Sequence, residues 1–487
     1  MGRVTEPNQV LPVPPADLPA TLGALRAAGH RYRTVKQELR DNLLARLRAG
    51  GDRFPGIVGY DDTVLPEVER ALLAGHDMVL LGERGQGKTR LIRSLVALLD
   101  EWTPVIAGSV LNEHPMRPLT PASRALAAEA GDDLPVAWLH RSMRYGEKLA
   151  TPDTSVGDLI GDVDPIRIAQ GRTLGDPETI HFGLVPRTNR GIFAVNELPD
   201  LAERIQVALL NVLEERDIQV RGYQLRLPLD LLLVASANPE DYTNRGRIIT
   251  PLKDRFGAEI HTHYPLGLEL ELALIRQEAD LVADVPEHVL EVLARFARAV
   301  RDSPSVDQRS GVSARFAIAA AETVAAAALR RSGLLAAGAS TDGVREEAPV
   351  ARVGDAVSVT STLRGKVEFE SGEDGREVEI LAHLLRTATA DTFRARLAGL
   401  DLSGFTALVD DGRVVETGEL VASAELLRQV GTVPGLAKAL DRLGLGDAPT
   451  PEQAAAGVEF VLEGLHLTRR LGKDVTDSGR TVYGGRG

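Results

Sequence analysis

Residues 82–89 read GERGQGKT, which is a complete G-x-x-x-x-G-K-T phosphate-binding loop. The loop follows an apolar run at 78–81 and opens a run with helical periodicity at 89–99. A glycine-rich turn between a strand and a helix N-terminus points several backbone N–H groups at one place, where the helix dipole also favours an anion. The sequence therefore predicts that this loop binds the phosphates of a nucleoside triphosphate.

The residue types inside the loop suit that chemistry. Gly85 and Gly87 can adopt backbone angles that other residues resist. The Lys88 ammonium can reach the β- and γ-phosphates, and the Thr89 hydroxyl can bind Mg²⁺. The predicted nucleotide contacts in the loop are Gly82, Glu83, Arg84, Gly85, Gln86, Gly87, Lys88 and Thr89.

A second apolar run, GIFAVNE at 191–197, ends in two polar residues and stands where a Walker B motif is expected. Such a strand presents an acid to Mg²⁺ and then a carboxylate to the attacking water. Glu197 suits the second role, as a base or a water-positioning group. Asn196 occupies the first position, where aspartate is usual, and with Thr89 it forms the predicted metal site. An amide can orient a metal-bound water but adds no charge, so Asn196 is either a working variant or the mark of a degraded site.

Three further residues complete the set predicted to take part in hydrolysis. Asn238 ends the apolar run at 231–237, where an amide can orient water beside the γ-phosphate. Arg255, in TPLKDRF at 250–256, can stabilise charge on the transferring phosphoryl group from a neighbouring subunit. Arg315 begins a predicted helix and can couple the nucleotide state to the angle between domains.

The elements that must position these residues alternate between helix and strand from 54 to 264. The runs at 77–81, 191–195 and 229–236 are apolar almost without interruption, as in strands that are buried on both faces. We therefore predict an α/β fold with a parallel sheet covered on both sides. Helical periodicity dominates after residue 265, which predicts a helical second domain.

Composition excludes several classes of function. The chain has no cysteine, so disulfides, thiolate metal sites and thiol catalysis are excluded. No apolar run approaches the roughly 20 residues that span a bilayer, and the polar, Pro-rich start lacks an export signal. A net charge of −13 argues against a broad nucleic-acid surface. We expect a cytoplasmic protein without membrane insertion.

The order of these motifs resembles the AAA+ ATPases, and among them the magnesium-chelatase ATPase subunit and its MoxR-like relatives. The resemblance covers roughly residues 54–335. The segments that carry it are GIVGY at 56–60, GERGQGKT at 82–89, DLIGDVDP at 158–165, FGLVPRTNRGIFAVNELPDL at 182–201, ALLNVLEER at 208–216, ANPEDY at 237–242, LKDRF at 252–256 and GVSAR at 311–315.

The resemblance implies a P-loop NTPase core of three αβα layers, a helical lid domain, and ATP with Mg²⁺ as cofactors. It assigns Asn238 as sensor 1, Arg255 as the arginine finger and Arg315 as sensor 2. It also places Ile57 and Val58 beside the adenine. The stretch at 159–185 would hold a hairpin-bearing helix insert that is typical of this group.

The domain boundaries predicted from the sequence follow the changes in composition. They are a Pro-rich leader (1–20), a helical segment (21–53), the AAA+ α/β domain (54–264), the helical lid (265–335), a linker with helical continuation (336–400), a mainly helical C-terminal region (401–471) and a disordered tail (472–487).

The function these observations predict is an ATPase motor that works as a homo-oligomeric ring, by resemblance a hexamer, and remodels or activates a partner protein. By resemblance that partner carries a von Willebrand factor A-type domain. Asn196 motivates an alternative, an ATP-gated assembly scaffold with little hydrolysis. A genuine magnesium-chelatase subunit is the third alternative, which the departure at Asn196 and the long C-terminal extension disfavour.

Overall fold

The computed structural model describes residues 12–163, 180–214, 218–220, 223–225, 227–238, 247–307, 311–338, 347–410, 413–476 and 480–484. The chain divides into two compact units, one of residues 1–83 and 87–263, the other of residues 84–86 and 264–487. Across the described ranges, no helix is both long and apolar enough to cross a membrane.

The first unit is built on a five-stranded sheet in the order β11–β1–β10–β7–β4. All of its strand pairs are parallel, so the carboxyl ends of the strands meet at one edge. The strands of this unit are β1 (Met78–Leu81), β2 (Trp102–Ile106), β3 (Val136–His140), β4 (Tyr145–Leu149), β5 (Gly161–Val163), β6 (Ile180–Phe182), β7 (Gly191–Asn196), β8 (Ile218–Val220), β9 (Tyr223–Leu225), β10 (Leu231–Ala237) and β11 (Ala258–His261). The predicted parallel sheet is confirmed.

Both faces of this sheet are covered. Along β1, Met78 and Leu80 enter one hydrophobic cluster, while Val79 and Leu81 enter another. This alternation is what a strand requires when it lies between two layers of helix, and it explains why the runs read as continuously apolar. The helices of this unit are Leu22–Ala27, Val35–Ala49, Val64–Ala74, Lys88–Ser94, Pro121–Ala130, Val156–Leu159, Leu184–Arg187, Glu203–Glu214 and Thr250–Arg255.

A buried ion pair fixes the start of β4 against β7. Arg144 donates from Nη1 and Nη2 to the two carboxylate oxygens of Glu38, each at 2.7 Å, and from Nε to the carbonyl oxygen of Arg190 at 2.7 Å. Both side chains of the pair are almost fully buried. Glu38 lies on helix Val35–Ala49, whose start is closed by a capping box between Thr34 and Gln37. The N-terminal helical segment therefore helps to set the position of β4 in the sheet.

In the described part of the first unit, three antiparallel strand pairs lie outside the main sheet, namely β2–β3, β5–β6 and β8–β9. The pair β5–β6 joins Gly161–Val163 to Ile180–Phe182, within the segment 159–185 for which an insert is predicted. Residues 164–179 of that segment lie outside the described residues, so the helix of the insert stays a prediction. Helix Leu184–Arg187 then leads directly into β7.

The second unit is mostly helical around one large hydrophobic cluster. Its helices are Leu268–Glu278, Glu287–Arg301, Arg315–Gly338, Ser358–Thr362, Glu377–Arg396, Ser403–Asp410, Ser423–Val430, Leu436–Arg442 and Pro451–Leu467. Thr450 caps the last of these helices, with Pro451 at its first position, where proline is well tolerated.

The C-terminal tail differs from its prediction. The sequence predicts disorder over 472–487, whereas the structure places strands β13 (Gly472–Val475) and β14 (Thr481–Gly484) there. They pair antiparallel to each other, and β14 also pairs with β12 (Val415–Thr417). Tyr483 is buried and Lys473 forms an ion pair with Glu463 at 2.7 Å. These anchors offset the flexibility of the glycine-rich sequence, which is why the prediction for these strands is wrong.

A closed charge cluster lies in the interior of the second unit, and we define it by Arg352, Glu347, Glu459, Arg331 and Asp355. The Arg352 guanidinium donates to Glu347 at 3.1 Å and lies 3.8 Å from Glu459. Arg331 forms an ion pair with Asp355 at 3.2 Å. Burial raises the pKa of Glu459 and lowers the pKa of Arg352, because a charged group loses its hydration in the interior.

Candidate functional site

The phosphate loop joins β1 to helix Lys88–Ser94 at the carboxyl edge of the sheet. Gly85 and Gly87 have φ of +74° and +79°, in the left-handed region that favours glycine. Gly87 caps the helix, so the backbone turns there and leaves the first N–H groups of the helix facing the loop. Gly82 is held to the neighbouring strand by a hydrogen bond from its N–H to the carbonyl oxygen of Ala237, at 3.2 Å.

The side chain of Lys88 is folded into the loop. Its ammonium donates to the carbonyl oxygens of Gly82 and of Glu83, the latter at 2.8 Å, and to Oδ1 of Asn238 at 2.8 Å. Lys88 and Asn238 are both buried. The loop cation and the amide at the tip of β10 are therefore in direct contact, although 150 residues separate them in the sequence.

A chain of hydrogen bonds links the loop to the tips of β7 and β10. Thr89 donates from its hydroxyl to Oδ1 of Asn196 at 3.4 Å, and Ser236 donates to the same oxygen at 3.2 Å. The backbone N–H of Glu197 in turn donates to the Ser236 hydroxyl at 3.3 Å. The structure thus brings the predicted metal-site residues, Thr89 and Asn196, into contact. Ser236, which the sequence analysis did not single out, connects them to Glu197.

Glu197 has an unusual backbone conformation. Its φ of +56° and ψ of +47° place a non-glycine residue in the left-handed region, directly after the last residue of β7. Such a conformation costs on the order of 1 kcal/mol and is found most often at functional sites. It turns the chain away from the strand into the short turn Leu198–Asp200, and the side chain is left partly exposed at the carboxyl edge.

A carboxylate that sequence reasoning missed lies beside Asn196. Glu147 on β4 accepts a hydrogen bond at 2.6 Å from Nδ2 of Asn196. It also forms an ion pair with Arg93, at 2.8 and 3.0 Å, and accepts from the Tyr145 hydroxyl at 3.0 Å. The sequence contains only a weak indication of this carboxylate. Thr89 and Arg93 are four residues apart and share one helix face, so an acidic partner of Arg93 can be expected near the metal site.

The remaining predicted residues lie in several environments. Ile57 and Val58 are half-buried, and Ile57 packs against the hydrophobic cluster that contains Met78 and Leu80. Arg255 is exposed at the last residue of helix Thr250–Arg255. Arg315 belongs to the second unit, where it is exposed at the first residue of its helix. Among the other loop residues, Arg84 is exposed, Glu83 is half-buried and Gln86 is buried.

The donor set at the edge fits Mg²⁺, a hard cation that prefers oxygen ligands. The Thr89 hydroxyl and Oδ1 of Asn196 are neutral oxygens, and the Glu147 carboxylate lies next to Asn196. Among the described residues no group of three or more His, Cys, Asp or Glu side chains forms a metal site. A cation at this edge would therefore depend on a few protein oxygens together with phosphate oxygens, which is usual for Mg²⁺ bound with a nucleotide.

The parallel five-stranded sheet with the phosphate loop at its carboxyl edge is the fold of the P-loop AAA+ proteins. The magnesium-chelatase subunit ChlI of Nostoc sp. is 30% identical over 235 residues, which are 47% of this chain and 59% of that protein. The magnesium-chelatase 38 kDa subunit of Rhodobacter capsulatus is 30% identical over 255 residues, 49% of this chain and 63% of that protein. Over about half of its length the chain is similar in sequence to magnesium-chelatase subunits, and it spans about three fifths of the length of these relatives.

Among solved structures, one of the complex between subunits BchI and BchD of magnesium chelatase matches with 24% identity, over 67% of this chain and 98% of that chain, with a TM-score of 0.35. No family model matches the sequence.

Proposed function

We propose that this chain binds ATP at the carboxyl edge of the first unit, hydrolyses it, and uses the energy to remodel or activate a partner protein. One observation carries the proposal. The Lys88 ammonium and the Asn238 amide are 2.8 Å apart, beside the contact between Thr89 and Asn196. Residues from the loop and from two different strand tips thus converge at one place, which is what phosphoryl transfer by positioning requires.

Each residue has a role in this proposal. Lys88 neutralises charge on the β- and γ-phosphates, and the loop N–H groups hold their oxygens. Thr89 and Asn196 would hold Mg²⁺, and the cation would neutralise negative charge on the phosphates. Glu197 orients the attacking water or accepts its proton, and the strained backbone at this residue supports that role. Asn238 orients water beside the terminal phosphate and, through its bond to Lys88, responds to the loss of that phosphate.

Arg255 completes the site of a neighbouring copy in this proposal, so turnover requires a homo-oligomeric ring, by family resemblance a hexamer. The exposure of Arg255 at a helix end supports a role in trans. An arginine supplied across an interface stabilises the charge of the transition state. The role of Arg315 as sensor 2 stays a prediction.

The partner in this proposal is a protein with a von Willebrand factor A-type domain, an inference that depends on the family resemblance alone. The names of the relatives raise magnesium insertion into a porphyrin as a second activity. Because the chain spans only part of their length, magnesium insertion requires a separate assay, in which partner subunits, Mg²⁺ and protoporphyrin are supplied together.

Asn196 favours one alternative function, a scaffold that assembles when ATP binds and hydrolyses it slowly. An amide at this position contributes no negative charge to the metal site. Both functions require ATP binding, but only the motor requires rapid hydrolysis. A measurement of the ATPase rate therefore separates them.

The test is the steady-state ATPase rate of the assembled full-length protein. Glu197→Gln should lower turnover by about 10²- to 10⁴-fold with ATP binding preserved, and Arg255→Ala by about 10³-fold. Lys253→Ala is the matched control, since it removes an exposed cation from the same helix. A wild-type protein that binds ATP and assembles, yet has no turnover sensitive to either substitution, would establish the scaffold and overturn the motor.

A further inference from the structure

Asn196 and Glu147 are neighbours because of the register between β4 and β7. In this parallel pair Leu149 lies opposite Asn196 and Glu147 opposite Ala194. Side chains two residues apart on a strand share a face of the sheet, so Glu147 and Asn196 stand diagonally on one face. The distance of 2.6 Å between Oε1 of Glu147 and Nδ2 of Asn196 is a direct hydrogen bond.

The partners of Glu147 fill the hydrogen-bonding capacity of its carboxylate. Oε1 accepts from Asn196 and from Nη2 of Arg93 at 3.0 Å, while Oε2 accepts from Nε of Arg93 at 2.8 Å and from Tyr145 at 3.0 Å. Four donors thus occupy the two oxygens, and Arg93 offsets the negative charge. Among these partners Asn196 also contacts Thr89, so the route from Glu147 to the metal site that these contacts provide runs through Asn196.

The chemistry of the amide makes its orientation critical. An asparagine side chain has one oxygen that accepts and one NH₂ group that donates, whereas an ionised carboxylate can only accept. The hydroxyls of Thr89 and Ser236 can donate or accept, so on their own they fit either orientation of the amide. The Glu147 carboxylate fits only one, in which Nδ2 faces Glu147 and Oδ1 faces Thr89.

We propose that Glu147 is a positioning residue that locks the Asn196 amide with its oxygen towards Thr89, so that an uncharged residue presents an oxygen to the metal site. This inference rests on the proposed nucleotide function. An amide turned the other way would present its NH₂ group to a cation and repel it. An aspartate at the same position would need no such partner, because either of its oxygens can face the cation.

The main measurement is the affinity for a non-hydrolysable ATP analogue, determined by equilibrium binding with Mg²⁺ and again with EDTA. With Mg²⁺, Glu147→Ala should weaken binding about tenfold, the effect expected when the partner that orients a metal ligand is lost. With EDTA the variant should bind as the wild type does, because no cation then depends on Asn196. Glu147→Gln keeps a carbonyl acceptor for Nδ2 of Asn196. With Mg²⁺, its affinity for the analogue should lie between those of the wild type and of Glu147→Ala.

A rescue experiment separates orientation of the amide from a merely structural role. The double variant Glu147→Ala with Asn196→Asp should recover Mg²⁺-dependent affinity to the wild-type value or above it, since an aspartate has no wrong orientation and also adds a negative charge. Arg93→Ala removes the other charged partner of Glu147 but leaves the contact with Asn196. It should therefore leave the Mg²⁺-dependent affinity near the wild-type value.

Three results would overturn the inference. They are unchanged Mg²⁺-dependent affinity in Glu147→Ala, failure of Asn196→Asp to restore that affinity, and a loss in Arg93→Ala equal to that in Glu147→Ala. The last would mean that Glu147 serves to anchor Arg93. Failure of the proposed function has a different signature, because a wild-type protein without affinity for the analogue under either condition would refute nucleotide binding itself.

Discussion

Two polar clusters, one in each unit, use charged and amide side chains in opposite ways. In the closed charge cluster of the second unit, Arg352 is enclosed by Glu347, Glu459, the Ser423 hydroxyl and the carbonyl oxygen of Val421. At the carboxyl edge of the first unit, the polar groups form a chain that ends at Lys88 and Thr89 in the phosphate loop. A closed cluster can contribute only to folding, whereas a chain that ends at a loop can respond to a ligand.

The largest expected effect is a loss of stability when the closed charge cluster of the second unit is disrupted. Arg352→Ala should lower the free energy of unfolding by about 3–5 kcal/mol, because it leaves the buried Glu459 carboxylate and the partly buried Glu347 carboxylate without their cation. Urea denaturation measures the change. The affinity for an ATP analogue, measured under native conditions, should stay at the wild-type value.

Arg394→Ala is the control for that experiment. Arg394 pairs with Asp391 at 2.8 Å on the surface, where its side chain is 61% exposed, and an exposed pair contributes less than about 1 kcal/mol. Equal losses in the two variants would mean that enclosure of the cluster is not what makes it stabilising.

The next largest effect is a loss of nucleotide affinity when the chain of polar contacts at the carboxyl edge of the first unit is broken. Lys88→Ala should weaken binding of the ATP analogue by about 10- to 150-fold, which corresponds to the 1.5–3 kcal/mol of a hydrogen bond to a charged group. The substitution removes the ammonium that the loop carbonyls and Asn238 hold in place. Fluorescence titration of a labelled analogue measures the affinity.

Arg48→Ala, which removes an exposed cation near the end of helix Val35–Ala49, controls for the change in net charge. If Lys88→Ala bound the analogue as tightly as the Arg48 variant, the chain of contacts at the carboxyl edge would have no connection with phosphate.

The smallest expected effect is a dependence of stability on pH, which arises from one buried histidine in each unit. Burial lowers the pKa of His114 in the first unit to about 2 and that of His288 in the second to about 3. Below the unfolded value of about 6.5, the unfolded chain binds protons that the folded chain does not. Stability is therefore full above pH 6.5 and falls as the pH falls towards the folded values, by up to about 1.4 kcal/mol per pH unit for each histidine.

Urea denaturation of His288→Leu at pH 6.5 and pH 5 checks this dependence. The variant should lose less stability between the two pH values than the wild type, because one of the two buried imidazoles is absent. His261→Leu removes an exposed imidazole and is the control. A variant that retained the full wild-type loss would show that His288 takes no part in the response to acid.

The sequence could predict the parallel sheet, and it could indicate which residues lie at the strand tips, because both depend on local patterns. The run GIFAVN is buried throughout, so its apolar residues alone indicate a central strand, and its order after the phosphate loop marks Asn196. Asn238 became recognisable in the same way, since the polar tips of parallel strands meet at one edge of the sheet.

Other features depend on register and on contacts that the sequence does not encode locally. The strand YGEKL at 145–149 contains a glycine and a lysine and is largely half-buried, so it lacks a clear strand pattern and Glu147 was missed. The strands at 472–475 and 481–484 were missed because their stability comes from the burial of Tyr483 and from pairing with β12, a strand far away in the sequence.

The left-handed backbone of Glu197 has a consequence for how this protein would respond to selection. Glycine and asparagine adopt that conformation at a lower energetic cost than glutamate. A laboratory evolution experiment that rewarded thermal stability alone would favour their appearance at this position, and the survivors would tolerate heat better while losing turnover. Keeping glutamate there requires selection on the reaction itself.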